Sequence, residues 1–369
     1  MSHTLHHHLQ PAEDAMPLRR RGFDLGYVVP HDVRTVPMTD AQVARAWQQD
    51  RAVWLPGMLD VQRMQAEIAQ AHRLMAQVLA HGEVTPMIDQ SPYTAALQPE
   101  FSLVAASFEE HDEQAIEKLY FDAMQGGDCV AEDLWCKASW LSFLEDDASL
   151  RFRFSFGMEA LEDVAADPVR QRWAGTLCDR LFPESALLTE HAVLRTMLAQ
   201  AIGGEPMFVE RIVYFNAPNG GAQMHHDVER GHDGVVFAQL SGRTFWLALA
   251  KPLLIDELIA FITDPAQQPE LSRLLPAAED RAALMALAAD RAALADYMDA
   301  FDHELVEAVM DRSAAFVQQL VNHGYGYLLH AGDLLLMPQR NLEQCVWHSV
   351  ISLGDEPGEA LSFAVRPAG

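Results

Sequence analysis

Two textures divide the chain. From Met207 onward, short β-branched and aromatic runs follow one another: MFVERIVYFN (207–216), GVVFAQL (234–240), RTFWLALA (243–250), YGYLLH (325–330), DLLLMP (333–338), VWHSVISL (346–353) and ALSFAVR (360–366). Turn clusters such as APNGG (217–221) and Ser241-Gly242 separate them. One stretch breaks the series. Residues 253–322 are rich in Ala, Leu, Asp and Arg with apolar positions three and four apart, the spacing of helices. The doubled DRAAL at 280–284 and 290–294 is too short and isolated to mark a repeat architecture. Residues 206–369 therefore predict an antiparallel barrel or double-sheet jelly roll carrying a helical insertion.

The first 205 residues read differently. A polar, proline-containing opening of about 35 residues predicts a loosely held segment. Thr39 followed by Gln42 has the spacing of a capping box and predicts a helix start. AVWL (52–55) reads as a short strand ended by Pro56-Gly57, and residues 60–80 as a helix with apolar spacing of three and four. From about 100 to 205 the Ala-, Leu- and Glu-rich texture predicts mainly helix. The fold class expected for the whole is mixed α and β, with residues 1–205 a mainly helical region that can contribute first strands, and 206–369 the jelly-roll core.

Composition narrows the partners. Half of the 369 residues are apolar, so core material is plentiful, and the formal net charge is −27. Such a surface repels phosphate backbones and anionic lipid, which disfavours nucleic acid and membrane as partners. It leaves small molecules and peptides open. Four cysteines (Cys129, Cys136, Cys178, Cys345) without a CxxC pair suit a reducing compartment. With neither a signal-like opening nor a long apolar run, the expectation is a cytoplasmic protein. His6, His7 and His8 read as a solvated tail. The sequence leaves the oligomeric state open.

Candidate chemistry concentrates in the β-rich half. After the turn APNGG comes Ala222-Gln223-Met224-His225-His226-Asp227. In an extended segment, residues two apart share a face, so His225 and Asp227 can meet one metal ion while His226 turns away. His348, inside VWHSV, is the third candidate ligand, brought near by a neighbouring strand of a closed sheet. Two imidazoles and one carboxylate leave coordination positions open, as in non-haem Fe(II) oxygenases. By itself HxD is a short pattern, and its context gives it weight. His232, His330, Trp246, Trp347 and Cys345 read as packing or loop residues.

APNGGAQMHHD (217–227), VVFAQLSGRTFW (235–246) and HAGDLLLMP with VWHSV (330–350) resemble the cupin-like Jumonji-C family of iron- and 2-oxoglutarate-dependent oxygenases. AVWLPGMLD (52–60) is similar to the opening strand and turn of related phytanoyl-type dioxygenases. The resemblance covers roughly the last 160 residues. It implies a double-stranded β-helix binding Fe(II) through His225, Asp227 and His348, with 2-oxoglutarate and O2 as co-substrates. The implied reaction is oxidation of a C–H bond, most simply hydroxylation, of a small or peptide-derived substrate. Where family members carry a basic residue on the hairpin strand, Thr244 stands, and Glu359 precedes Ala360-Leu361 where phytanoyl-type relatives place an arginine. A buried dicarboxylate still needs a cation or several donors. Arg366, on a strand expected to return beside 346–353, is the first candidate, with Thr244 and Tyr214 as supporting hydroxyls. The alternatives are a metal-dependent cupin oxygenase that does not use 2-oxoglutarate, a protein hydroxylase, and a non-catalytic binding protein.

Overall fold

The computed structural model describes residues 15–29, 38–110, 115–140, 149–158, 166–229 and 231–368. His6, His7 and His8 lie outside them. Fifteen strands form three antiparallel sheets. In chain order they are β1 (Met16–Arg20), β2 (Phe23–Val28), β3 (Val53–Leu55), β4 (Phe101–Glu110), β5 (Ala115–Gln125), β6 (Asp128–Trp140), β7 (Leu150–Phe156), β8 (Pro206–Asn216), β9 (Gly221–His225), β10 (Gly234–Gln239), β11 (Arg243–Ala250), β12 (Gly326–His330), β13 (Leu334–Pro338), β14 (Val346–Leu353) and β15 (Gly358–Pro367). The strands expected after Met207 are all present, and helices between Lys251 and Asn322 form the insertion.

Strands β8 to β15 are divided between two sheets, alternating except that β11 and β12, which flank the insertion, pair in the same one. The smaller has the order β12-β11-β14-β9; the larger contains β13-β10-β15-β8. An apolar cluster between them includes Phe237, Trp246, Leu335, Met337 and Val350. The second core is on the insertion side of the small sheet, where Phe245, Leu247 and Trp347 meet Leu258, Phe261 and Phe316. A third covers the outer face of the large sheet, where the helix Gln65–His81 buries Ile68, Leu74, Met75 and Val78 against it. The capping box at Thr39 forms as the spacing predicts, with Thr39 N donating to Gln42 Oε1.

Residues 101–156 correct the helical reading. They form four long strands that extend the large sheet to nine, in the order β3-β13-β10-β15-β8-β7-β6-β5-β4. The period of two is visible along β5, where Ala115, Glu117, Leu119, Phe121 and Ala123 point inward and their neighbours outward. Glu117 disguises it, because an inward acid breaks the apolar alternation. Its carboxylate accepts from Thr85 N at 3.0 Å and also from Val84 N, so it caps a short helix rather than facing water. Because β7 pairs with β8, the boundary placed at 205/206 does not divide the sheet.

The opening segment also departs from expectation. Residues 16–28 form the hairpin β1-β2, closed by Arg21 and Gly22, both at positive φ. Among the described residues, no helix is long and apolar enough to cross a membrane.

Candidate metal centre

The turn before β9 sets the site. Gly221 has φ 130°, and a Cβ there would meet the Val350 carbonyl oxygen at 2.0 Å, so only glycine lets β9 close onto β14. Their pairing puts His225 opposite His348, with a register shift between His348 and Val350. Asp227 follows just beyond β9. The three distant sequence positions meet: one ligand atom from each of His225, Asp227 and His348 lies within 4.8 Å of the others. Asp227 places one carboxylate oxygen 3.5 Å from His225 Nε2 and the other 3.4 Å from His348 Nε2.

The imidazoles are oriented from behind. His225 Nδ1 lies 2.6 Å from the Gln223 carbonyl oxygen, and His348 Nδ1 lies 3.5 Å from that of Val346. A carbonyl only accepts, so each Nδ1 carries the proton and each Nε2 offers its lone pair to the side where Asp227 stands. Trp246 stacks on His348 with ring centroids 5.3 Å apart and 27° between planes, which fixes that ring further. Burial pushes the Asp227 carboxyl up, but the adjoining imidazoles of His348 and His225, when protonated, outweigh it and hold the group below the usual carboxylate range. Burial, seconded by repulsion from His225, pushes His348 down to about 4. His225 goes the other way, drawn up by Asp227 against its own burial, so the three groups hold a proton between them that a divalent cation would displace. The residues present fit Fe(II).

The ligands open onto a cavity of about 310 Å³. Phe237 and Val350 supply apolar wall, while Tyr214, Asn216 and Ser362 supply hydroxyl and amide groups. Two guanidiniums also line it, from Arg21 and Arg151. Arg151 on β7 stands opposite Tyr214 in register, hydrogen-bonds its phenol, and has a buried Nε without a partner among the described residues.

The positions proposed from sequence for the co-substrate separate accordingly. Tyr214 lines the cavity. Thr244 does not: its buried hydroxyl donates to Gln239 Oε1 at 2.7 Å and accepts from Trp246 Nε1 at 2.9 Å, so it holds the ring that packs on His348. Arg366 does not either. Strand β15 pairs with β10 and β8 in the large sheet, not with β14, which carries Arg366 to the far end beside Met207. Arg151 was hidden because it sits within a stretch whose texture reads as helix. An arginine alternating with Phe152 and Phe154 was the available signal.

The remaining candidates are packing residues. His226 turns away from the site onto Trp347, as strand alternation requires. Cys345 is buried, which pushes its thiol up to about 12. A second carboxylate and histidine group, Glu210, Glu229 and His232, is already bridged by the Arg153 guanidinium.

No family model matches the chain, and no curated protein matches it. Among solved structures, a 2OG-Fe(II) oxygenase family oxidoreductase from Burkholderia pseudomallei is similar at 9% identity and a TM-score of 0.33, over 90% of this chain and 92% of that one. YcfD, a ribosomal oxygenase from Escherichia coli, is similar at 13% identity and a TM-score of 0.24; the match takes in 76% of this chain but only 44% of YcfD. The placement of the side chains, not these likenesses, carries the reading that follows.

Proposed function

We propose that the protein is an Fe(II)- and 2-oxoglutarate-dependent oxygenase that hydroxylates a C–H bond of a small substrate. The observation that carries it is the convergence of His225, Asp227 and His348, each imidazole held through Nδ1, at the wall of a cavity. The division of β8 to β15 into two facing four-strand sets, β12-β11-β14-β9 and β13-β10-β15-β8, supports reading the core as a double-stranded β-helix of the cupin-like, jelly-roll kind. The motif resemblance to Jumonji-C enzymes points the same way.

His225, Asp227 and His348 would hold the metal and leave half its shell for co-substrates. When bound, iron supplies the coupling of two oxidations: 2-oxoglutarate, O2 and R–H yield succinate, CO2 and R–OH, one oxygen atom going to each organic product. The chain's part is to bind and orient. Asp227 contributes the one negative charge among the ligands. Arg151, with the Tyr214 phenol beside it, takes the far carboxylate of 2-oxoglutarate, a charge-assisted pairing that a buried dianion requires. Phe237 and Val350 keep the reacting region apolar and exclude water. Trp246, held by Thr244, prevents His348 from rotating off its ligating direction.

An anaerobic titration tests both halves. Protein loaded with Fe(II) is expected to develop a visible charge-transfer band on adding 2-oxoglutarate, and Arg151→Gln to need about a hundredfold more for the same band. Iron bound with no band, and no succinate formed in air, would overturn the co-substrate.

A further inference from the structure

Strand β9, which ends in His225, lies at the edge of the small sheet, in the order β12-β11-β14-β9. Its outer side therefore presents backbone groups that no strand takes up. Ala222 and Met224, two residues apart, turn their backbone polar groups to that side, and side chains meet them. Arg20 Nη1 donates to the Ala222 carbonyl at 2.9 Å, and Met224 N donates to Asp311 Oδ1 at 2.8 Å. Arg20 Nη2 closes the set, 2.5 Å from the same Asp311 oxygen and 3.2 Å from the Asp311 carbonyl. A donor for one C=O and an acceptor for an N–H two residues on is what a residue of an adjoining antiparallel strand would supply. Here it comes from the hairpin β1-β2 and the helix Glu304–Arg312.

The place of this support matters for the ligand that follows. On the β14 side the ladder shifts register between His348 and Val350, so pairing is irregular where His225 stands. The outer contacts fall on the two residues that flank Gln223, whose carbonyl holds His225 Nδ1 at 2.6 Å. The same helix reaches Gln223 itself, its Nε2 donating to Glu307 Oε1 at 3.0 Å. Arg20 and Asp311 are 2% and 1% exposed. Two charges so deep lose their hydration, and apolar residues of like size commonly serve stability as well. Apolar side chains would, however, leave the Ala222 carbonyl and the Met224 N–H without partners. What the pair supplies is a fixed backbone beside a metal ligand.

We infer that Arg20 and Asp311 are positioning residues for the metal centre, a buried ion pair that stands in for a strand, fixes the end of β9 and so sets the direction of His225. This role rests on the metal half of the reading above and is independent of 2-oxoglutarate. It differs from a field effect in sign. Acting on the ion through space, loss of the Arg20 charge would tighten binding of a divalent cation, and loss of the Asp311 charge would loosen it. Positioning requires that both losses loosen it.

The test measures Mn(II) affinity by calorimetry, and the visible spectrum of the Co(II)-loaded protein, in wild type, Arg20→Gln, Asp311→Ala and the double variant. Leu74→Ala, in the core beyond the large sheet, is the destabilised control. Each single variant is expected to bind Mn(II) about tenfold more weakly, and the double variant at most about twofold more weakly still, because the pair acts as a unit. Arg20→Lys, which keeps the charge but cannot reach both acceptors, should weaken binding about threefold, where a field effect predicts no change. The Co(II) bands should shift in the Arg20 and Asp311 variants and stay as in wild type in Leu74→Ala. Tighter binding in Arg20→Gln would overturn the inference, and so would equal weakening in Leu74→Ala. Hydrogen exchange of the metal-free protein gives a second reading. Amides of 221–225 should exchange about tenfold faster in Arg20→Gln while those of 346–353 keep their protection; unchanged exchange at 221–225 would also overturn it. If wild type takes up neither Mn(II) nor Co(II), the metal reading falls, and the exchange measurement still decides whether the pair holds β9.

Discussion

Two carboxyl sites in this molecule, one facing the cavity and one sealed, hold opposite proton states. Asp227 faces the cavity between two imidazoles, with its side chain 33% exposed, and is held ionised. Glu184 and Glu359 are both fully buried and interact with each other. Burial pushes Glu184 up to about 7 and Glu359 well above the ordinary carboxyl value, the latter seconded by the charge of Glu184. Among the described residues, none of their four carboxyl oxygens meets a donor from a third group. The donor between them must be a proton of their own. His72 does not replace it: its Nε2 lies 2.8 Å from Ser241 Oγ, but 3.8 Å from Glu359 Oε2. Burial alone therefore does not set the charge of a carboxyl group here. The neighbour does, an imidazole in one case and a second acid in the other.

The contrast breaks most completely at the metal ligands. Asp227→Ala or His348→Ala is expected to lower metal affinity at least about a hundredfold, read by metal analysis after dialysis against Mn(II). Retention of stoichiometric metal in either variant would remove the centre.

Asp311 is an intermediate case: burial raises it, and the charge of Arg20, with the hydrogen bond from Met224 N, opposes. Arg20→Met should turn it into an acid of the Glu359 kind. The expected loss is about 3 kcal/mol at pH 7, with less at pH 5, where protonation relieves the unpaired charge. Denaturant unfolding at the two pH values measures it, and equal losses at both would show that Asp311 is not charged in the fold.

The smallest effect sharpens the acid pair itself. Its folded pKa values lie above the unfolded one, so the fold holds protons that the unfolded chain releases, and stability from the pair falls as pH rises from about 4.5 through 7. Glu359→Gln keeps a donor toward Glu184 and removes the charge. It should stabilise the protein by on the order of 2 kcal/mol at pH 8 and by almost nothing at pH 5. Thermal melts of variant and wild type show it as a gap that opens with pH; a gap that stays constant would mean the pair does not share a proton.

Much of this was legible residue by residue. The strands after Met207 announce themselves by β-branched runs between turn signals, and HxD followed by a late strand histidine marks the ligands. The strands from 101 to 156 do not, since Ala, Glu, Lys, Leu and Met favour helix and tertiary pairing overrides them. That misreading concealed Arg151. Arg366 was misplaced for another reason: hydrophobic pattern reveals that 360–366 is a strand but not which sheet receives it, and its partners are β8 and β10. Glu359, at the position where an arginine anchor was sought, faces away from the cavity while Ala360 joins the interior.

The hairpin β1-β2 lies near the start of the chain and the strands that carry His225 and His348 in its second half, joined through Arg20, Asp311 and an apolar cluster that includes Leu18, Leu25, Met224 and Ile351. Inheritance can treat them separately. Codon changes at the tip around Arg21 would alter the cavity wall and leave His225, Asp227 and His348 unchanged, so a library randomised there is a natural place to look for altered ligand preference.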